Sequence, residues 1–121
     1  MRAAALLALA ALSGCGGEPE VVETDTGTID PCAVSSHRWD SFGEPFFTVW
    51  CTSCHSTLAV ADRRYGAPEA VNFDTYEGAA AWADRIRARA IDARDMPIGG
   101  FGPPEEELAR LDEWLACGLP R

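Results

Sequence analysis

Residues 51–55 read Cys51-Thr52-Ser53-Cys54-His55: two thiols two positions apart, followed at once by an imidazole. A thiol adds across a vinyl group, and an imidazole nitrogen binds iron. On one helical turn the two cysteines bracket the edge of a flat ring and the next side chain reaches toward its centre. CxxCH is therefore the attachment pattern for a c-type haem, with Cys51 and Cys54 as covalent anchors and His55 as the proximal ligand. CxxC alone also serves as a dithiol redox pair or as half of a zinc site. The chain carries no second CxxC and no cluster of acids and histidines to complete a zinc site. One covalent haem c is the reading the motif favours.

The remaining cysteines support an oxidising compartment. Of five in the chain, Cys51 and Cys54 belong to the motif and Cys15 lies near the N-terminus. Cys32 and Cys117 are left over and bound the folded part almost end to end, an arrangement that predicts a disulfide; two unpaired thiols are the alternative. Residues 1–14 begin with Arg2, continue as an apolar run from Ala3 to Leu12 too short to span a bilayer, and end on small residues before Cys15. That pattern predicts a cleaved export signal.

Positioning of the motif falls to helices. Ser41 to Trp50 carries Phe42, Phe46, Val49 and Trp50 at helical spacing, with Pro45 marking the start or an irregular first turn. A second helix is expected from about Thr75 to Ile91, with Asp74 and Glu77 as a capping box and Tyr76, Ala80, Ala83, Ile86 and Ala90 as the buried stripe. A third begins at Pro104, has Glu105, Glu106 and Glu107 at the positive end of its dipole and Leu108, Leu111 and Leu115 as its stripe, pairs Glu106 with Arg110, and stops at Gly118. No alternating strand pattern appears. Between the second and third helices lies Asp95-Met96-Pro97-Ile98-Gly99-Gly100; with Met1 lost in the signal, Met96 is the remaining thioether, set in a turn rather than on an apolar helical face.

From about Trp39 to Pro120 this order resembles a class I cytochrome c domain: an aromatic helix leading into CxxCH, a middle helix, a Met-Pro loop and an amphipathic terminal helix. The resemblance implies an all-α, small cytochrome c-like domain over residues 31–121, with three main helices around one covalent haem. It implies Met96 as the second axial ligand opposite His55, and a crossing of the first and last helices through Phe46 or Phe47 against Trp114 and Leu111. The segment between His55 and Met96 is compact for the family. The Cys32/Cys117 pair is not part of the family pattern and rests on counting alone. His37 is a weaker candidate ligand, placed before the helix that enters the motif. Tyr65, Tyr76, Trp82, Arg63 and Arg64 are donors of the kind that bind haem propionates, and equally ordinary core or solvated residues. Leu12-Ser13-Gly14-Cys15 resembles a bacterial lipobox, which implies cleavage before Cys15 and its acylation. By the same analogy Gly16 points to the outer membrane, and the protein is expected on the periplasmic face of the envelope or at the cell surface.

Charge bounds the partners. The net charge is −9, there is no lysine, and the linker 15–30 holds five acids and no base. The linker reads as an extended tether from lipid to domain. Such a surface is poor for nucleic acid and suits a redox partner with a basic docking patch. An iron with both axial positions filled does not readily take up a substrate, yet it exchanges one electron with little rearrangement. The expected function is one-electron transfer by a membrane-anchored cytochrome, not an enzyme in itself though possible as a subunit or partner of an oxidoreductase. A haem enzyme or gas-binding subunit with an open sixth position, and a structural lipoprotein without haem, are the alternatives.

Overall fold

The computed structural model describes residues 27–121, so the signal segment, Cys15 and most of the acidic linker lie outside the described residues. Within them the chain is helical and no strand occurs. Helix α1 spans Pro31–Val34, α2 Glu44–Trp50, α3 Tyr76–Ala81, α4 Ala83–Ile86 and α5 Glu105–Ala116. Wide turns, whose hydrogen bonds link residues five apart, lie at Trp39–Gly43, ahead of α2, and at Arg87–Asp92, after α4. No helix among the described residues is long and apolar enough to cross a membrane.

The wide turn before α2 has a local cause. Pro45 has no N–H, and its ring crowds the carbonyl four residues back. Opening the turn, with Gly43 N–H donating to Arg38 O at 3.1 Å, admits the proline at the second position of α2 without breaking the chain direction. Gly43 is also required by packing: a Cβ there would sit 2.7 Å from the Trp39 ring. The turn and α2 together bury Phe42, Phe46 and Phe47, while Val49, at helical spacing with Phe42 and Phe46, is exposed.

The middle helix differs from its expected course. It is broken at Trp82, whose N–H closes a tight turn on Ala79 O at 3.2 Å, and the second half loosens into the wide turn Arg87–Asp92. Ala79 is the fully buried alanine of the stripe rather than Ala80. The expected capping box is also replaced. Thr75 is the cap, accepting from Gly78 N–H at 3.1 Å, and the Asp74 carboxylate reaches instead to Thr57 N–H at 2.7 Å.

Helix α5 closes the core, with Leu108, Leu111, Trp114 and Leu115 buried. Phe47 meets Trp114 edge-on at 6.1 Å between ring centroids, and Trp39 lies at the same distance on the tilt. Phe47, not Phe46, makes the contact between the α2 and α5 aromatics. Trp50 Nε1 donates to Glu107 at 2.7 Å, tying the end of α2, just before the motif, to the start of α5. Glu106 and Arg110 pair as expected. Gly118 adopts φ +78°, a left-handed stop that only glycine takes freely, and turns the tail back. Pro120 O then accepts from Trp39 N–H and from Trp114 Nε1, and Leu119 O from the Tyr76 hydroxyl. Cys32 and Cys117 are joined in a disulfide, which fastens α1 to the end of α5.

Candidate functional site

The motif continues α2 by one helical turn. Cys51 N–H and Thr52 N–H both bond to Phe47 O at 2.9 Å, Cys54 N–H to Cys51 O at 3.2 Å, and His55 N–H to Cys51 O at 2.9 Å. Cys51, Cys54 and His55 therefore stand at i, i+3 and i+4 of a single turn, the spacing that puts three side chains on one face. Cys51 and Cys54 are half-buried free thiols, not joined to one another. Burial first, and the adjacent Cys54 second, push the Cys51 thiol up to about 12. A dithiol redox centre works through a thiolate of lowered pKa, so this environment fits a thiol that is consumed once in forming a bond better than one that cycles.

His55 is fixed from both ends by residues 71–73. Its backbone carbonyl accepts from Phe73 N–H at 2.8 Å, and its Nδ1 lies 3.1 Å from Val71 O. A carbonyl only accepts, so Nδ1 carries the hydrogen and Nε2 of the neutral ring holds the free lone pair. Burial is the main reason the imidazole titrates below its ordinary value; the Val71 carbonyl opposes the shift and the nearby Arg64 charge adds to it. At neutral pH the ring is therefore an uncharged donor with a defined tautomer, the state a metal ligand needs. The ring packs on Phe73 at 5.0 Å, and Phe73 packs on Phe47 at 5.3 Å, which joins the imidazole to the core.

The loop 56–71 is organised by one buried side chain, Arg64. Arg64 is buried, 6 % exposed, and no ion pair among the described residues involves it. Its guanidinium instead donates to backbone carbonyls: Nε to Ala67, one terminal nitrogen to Ser56 and Ala59, the other to Pro68 and Val71, at 2.6–3.2 Å. All five N–H donors are spent on the loop, so none is left for a propionate, and Arg64 drops out of that role. The Asp74 carboxylate completes the loop from the other side through Thr57.

Met96 occupies a different wall. Its N–H, like that of Asp95, donates to Arg89 O, and the Arg89–Asp95 and Arg94–Glu105 pairs secure the loop to the wide turn and to α5. The side chain borders an open cavity of about 400 Å³ shared with Ala90, Pro97, Ile98 and Leu108, and none of Cys51, Cys54 and His55 lines it. Several large apolar side chains on the segments that follow the motif and Met96 have little protein cover: Leu58 is 87 % and Phe101 88 % exposed, and Val60, Tyr65 and Ile98 are also exposed. So much apolar surface on two loops of a small domain is the kind of lining a flat apolar macrocycle would cover. The donor set and its surroundings thus fit a covalently held porphyrin iron. His37 is half-buried, packs on Phe42 at 5.1 Å and lies 3.9 Å from the Glu113 carboxylate of α5. Among the described residues no three His, Cys, Asp or Glu side chains form a group that could hold a metal ion by themselves. No protein-family model, curated protein or solved structure matches the chain.

Proposed function

We propose that the chain is a one-electron carrier built on a single c-type haem, with Cys51 and Cys54 as thioether anchors, His55 as proximal ligand and Met96 as the second axial ligand in a cytochrome c-like arrangement of helices. The observation that carries the reading is the turn 51–55, where two free thiols and an imidazole share one face and the Val71 carbonyl leaves Nε2 as the ring's free donor. A porphyrin iron bound there supplies reversible one-electron chemistry, at a potential raised by thioether ligation.

The chain's own residues do the rest. Val71 O and Phe73 hold the imidazole in one orientation, so a change of iron charge needs little movement of the ligand. Phe73, backed by Phe47, covers one side of the imidazole, and Leu58, Val60, Ile98 and Phe101 offer apolar cover on the outer loops. The acidic balance of the chain favours docking to a basic patch on a redox partner, with association that weakens as salt rises. Cys15 and the acidic linker place the domain on a tether at a bacterial envelope membrane, on its periplasmic face or at the cell surface.

The test is the full chain produced with haem-attachment machinery. A Soret band, a pyridine haemochrome of the two-thioether type and a mass increase on the 51–55 peptide are expected; a colourless protein with an unmodified peptide overturns the reading. A second reading, an iron open to small exogenous ligands, is favoured by the separate cavity that Met96 borders. Carbon monoxide uptake by the reduced protein at neutral pH distinguishes it from the carrier.

A further inference from the structure

Arg64 is a buried cation solvated by carbonyls instead of by a carboxylate. An uncompensated charge in that position is costly unless every donor is used, and here every donor is. The five acceptors span Ser56 to Val71, so one side chain fixes the whole loop that leaves the motif and returns to it. One acceptor has a second duty. Val71 O lies 3.1 Å from an Arg64 terminal nitrogen and 3.1 Å from His55 Nδ1, which engages both lone pairs of that carbonyl and keeps the two donor nitrogens within about 6 Å of each other.

We infer that Arg64 is a positioning residue that sets the donor strength of the His55 ring through the shared Val71 carbonyl. The inference deepens the proposed function and rests on His55 being an iron ligand. Two physical effects run in the same direction. A carbonyl that already accepts from a cation accepts less strongly from Nδ1–H, so the imidazole keeps less anionic character and donates less to iron. A fixed positive charge near the ring also opposes any further positive charge at the metal. Both favour the reduced state. A residue that only braced the loop would move stability and leave the potential where it was.

The experiment uses the haem-loaded full chain and measures its reduction potential in wild type, Arg64→Lys and Arg64→Gln. The glutamine variant is expected to shift the one-electron equilibrium toward the oxidised state by about tenfold, about 59 mV. The lysine variant, which keeps the charge and loses the planar fork, is expected to fall between the two. An unchanged or raised potential in Arg64→Gln overturns the inference. A readout that needs no variant covers the case of poor folding: in reduced wild type, nitrogen-labelled arginine is expected to show separate, slowly exchanging terminal N–H signals for one residue, and averaged, fast-exchanging signals for every arginine overturn the inference. A wild-type chain that takes up no haem defeats the cofactor reading, and the role of Arg64 with it. A haem-loaded chain whose potential ignores residue 64 defeats the role of Arg64 alone.

Discussion

Replacing both Cys32 and Cys117 by serine is expected to cost between about a third and nearly all of a typical small domain's margin of stability. The bridge links residues 85 apart in sequence, so it closes nearly the whole described chain into one loop. On the chain-entropy account, opening a loop of that length frees the unfolded ensemble by about 4.6 kcal/mol at 25 °C. The native side of the balance changes little. Helix α1 is a single exposed turn that buries no side chain, and the neighbouring Trp39 is still held by the Pro120 carbonyl after the bridge is gone. A domain of this size has roughly 5–15 kcal/mol in total, so the double variant keeps between nothing and two thirds of its stability. The assay is denaturant unfolding of the oxidised parent and the Cys32→Ser/Cys117→Ser variant, loaded to the same extent with cofactor, by two probes. The midpoint is expected to fall, and the dependence on denaturant to steepen, because the released chain exposes more surface. The serine pair avoids the free thiol that a single substitution would leave. A loss below about 1 kcal/mol with an unchanged slope would refute the reasoning, since it would mean that the unfolded chain is compact with or without the link.

Leu111→Ala, at a site with no exposure between α5 and the α2 aromatics, is expected to cost about 2.7–5 kcal/mol by cavity formation, read from the same unfolding curves. Asp74 gives a pH signature. Burial raises its pKa, but hydrogen bonds from Ser56 and Thr57 win and hold it below the usual 3.8. A depressed native pKa stabilises fully above the unfolded value and is lost as pH falls through the native one. Asp74→Asn is therefore expected to lower stability slightly at pH 7, since an exposed carboxylate is screened by solvent, and to flatten the fall in stability below about pH 4, with an unaltered acid limb counting against the assignment. Met96→Ala in the haem-loaded chain is expected to lower the potential and admit exogenous ligands, and an unchanged potential and spectrum exclude Met96 as a ligand.

The helical class and the disulfide were legible in the sequence because each rests on a signal that survives without coordinates. The stripe Leu108, Leu111 and Leu115 keeps its period through a regular helix, and the arithmetic of leftover cysteines needs no geometry. The stripe over residues 75–91 was partly misread because the projection assumes an unbroken turn of 3.6 residues. Ala79 and Ala80 both lie one turn on from Tyr76 in the regular helix α3, so spacing alone does not choose between them; the tight hydrogen bond at Trp82 and the wide turn after Ile86 then change the residue count per turn for the positions that follow. Val49 keeps the helical spacing yet stays exposed, at the rim of an open cleft that it borders with Pro45 and Trp50. The spacing of Asp74 to Glu77 matches a capping box. The fold gives that duty to Thr75 and uses the carboxylate to hold the turn after the motif.

The candidate site shows a sharper limit. Cys51, Cys54 and His55 announce themselves by side-chain chemistry, but what orients the imidazole is a backbone carbonyl, and every residue type at position 71 would carry one. Arg64 looked like one of two adjacent solvated arginines, and Arg63 is indeed exposed. What separates them is the path of the chain. Gly66, at φ +83°, and Pro68 fold the loop back so that the carbonyls of residues 56, 59, 67, 68 and 71 converge, and a converging set of five acceptors calls for the one side chain with five donors in a fork. Lysine offers three donors from a single point and cannot reach all five, which is a physical reason for arginine there that no charge count reveals. The environment of the proposed ligand is thus written in loop geometry more than in motif, and on the proposed haem reading a substitution at residue 64, outside the motif, is expected to alter the iron's electron affinity while CxxCH itself stays intact.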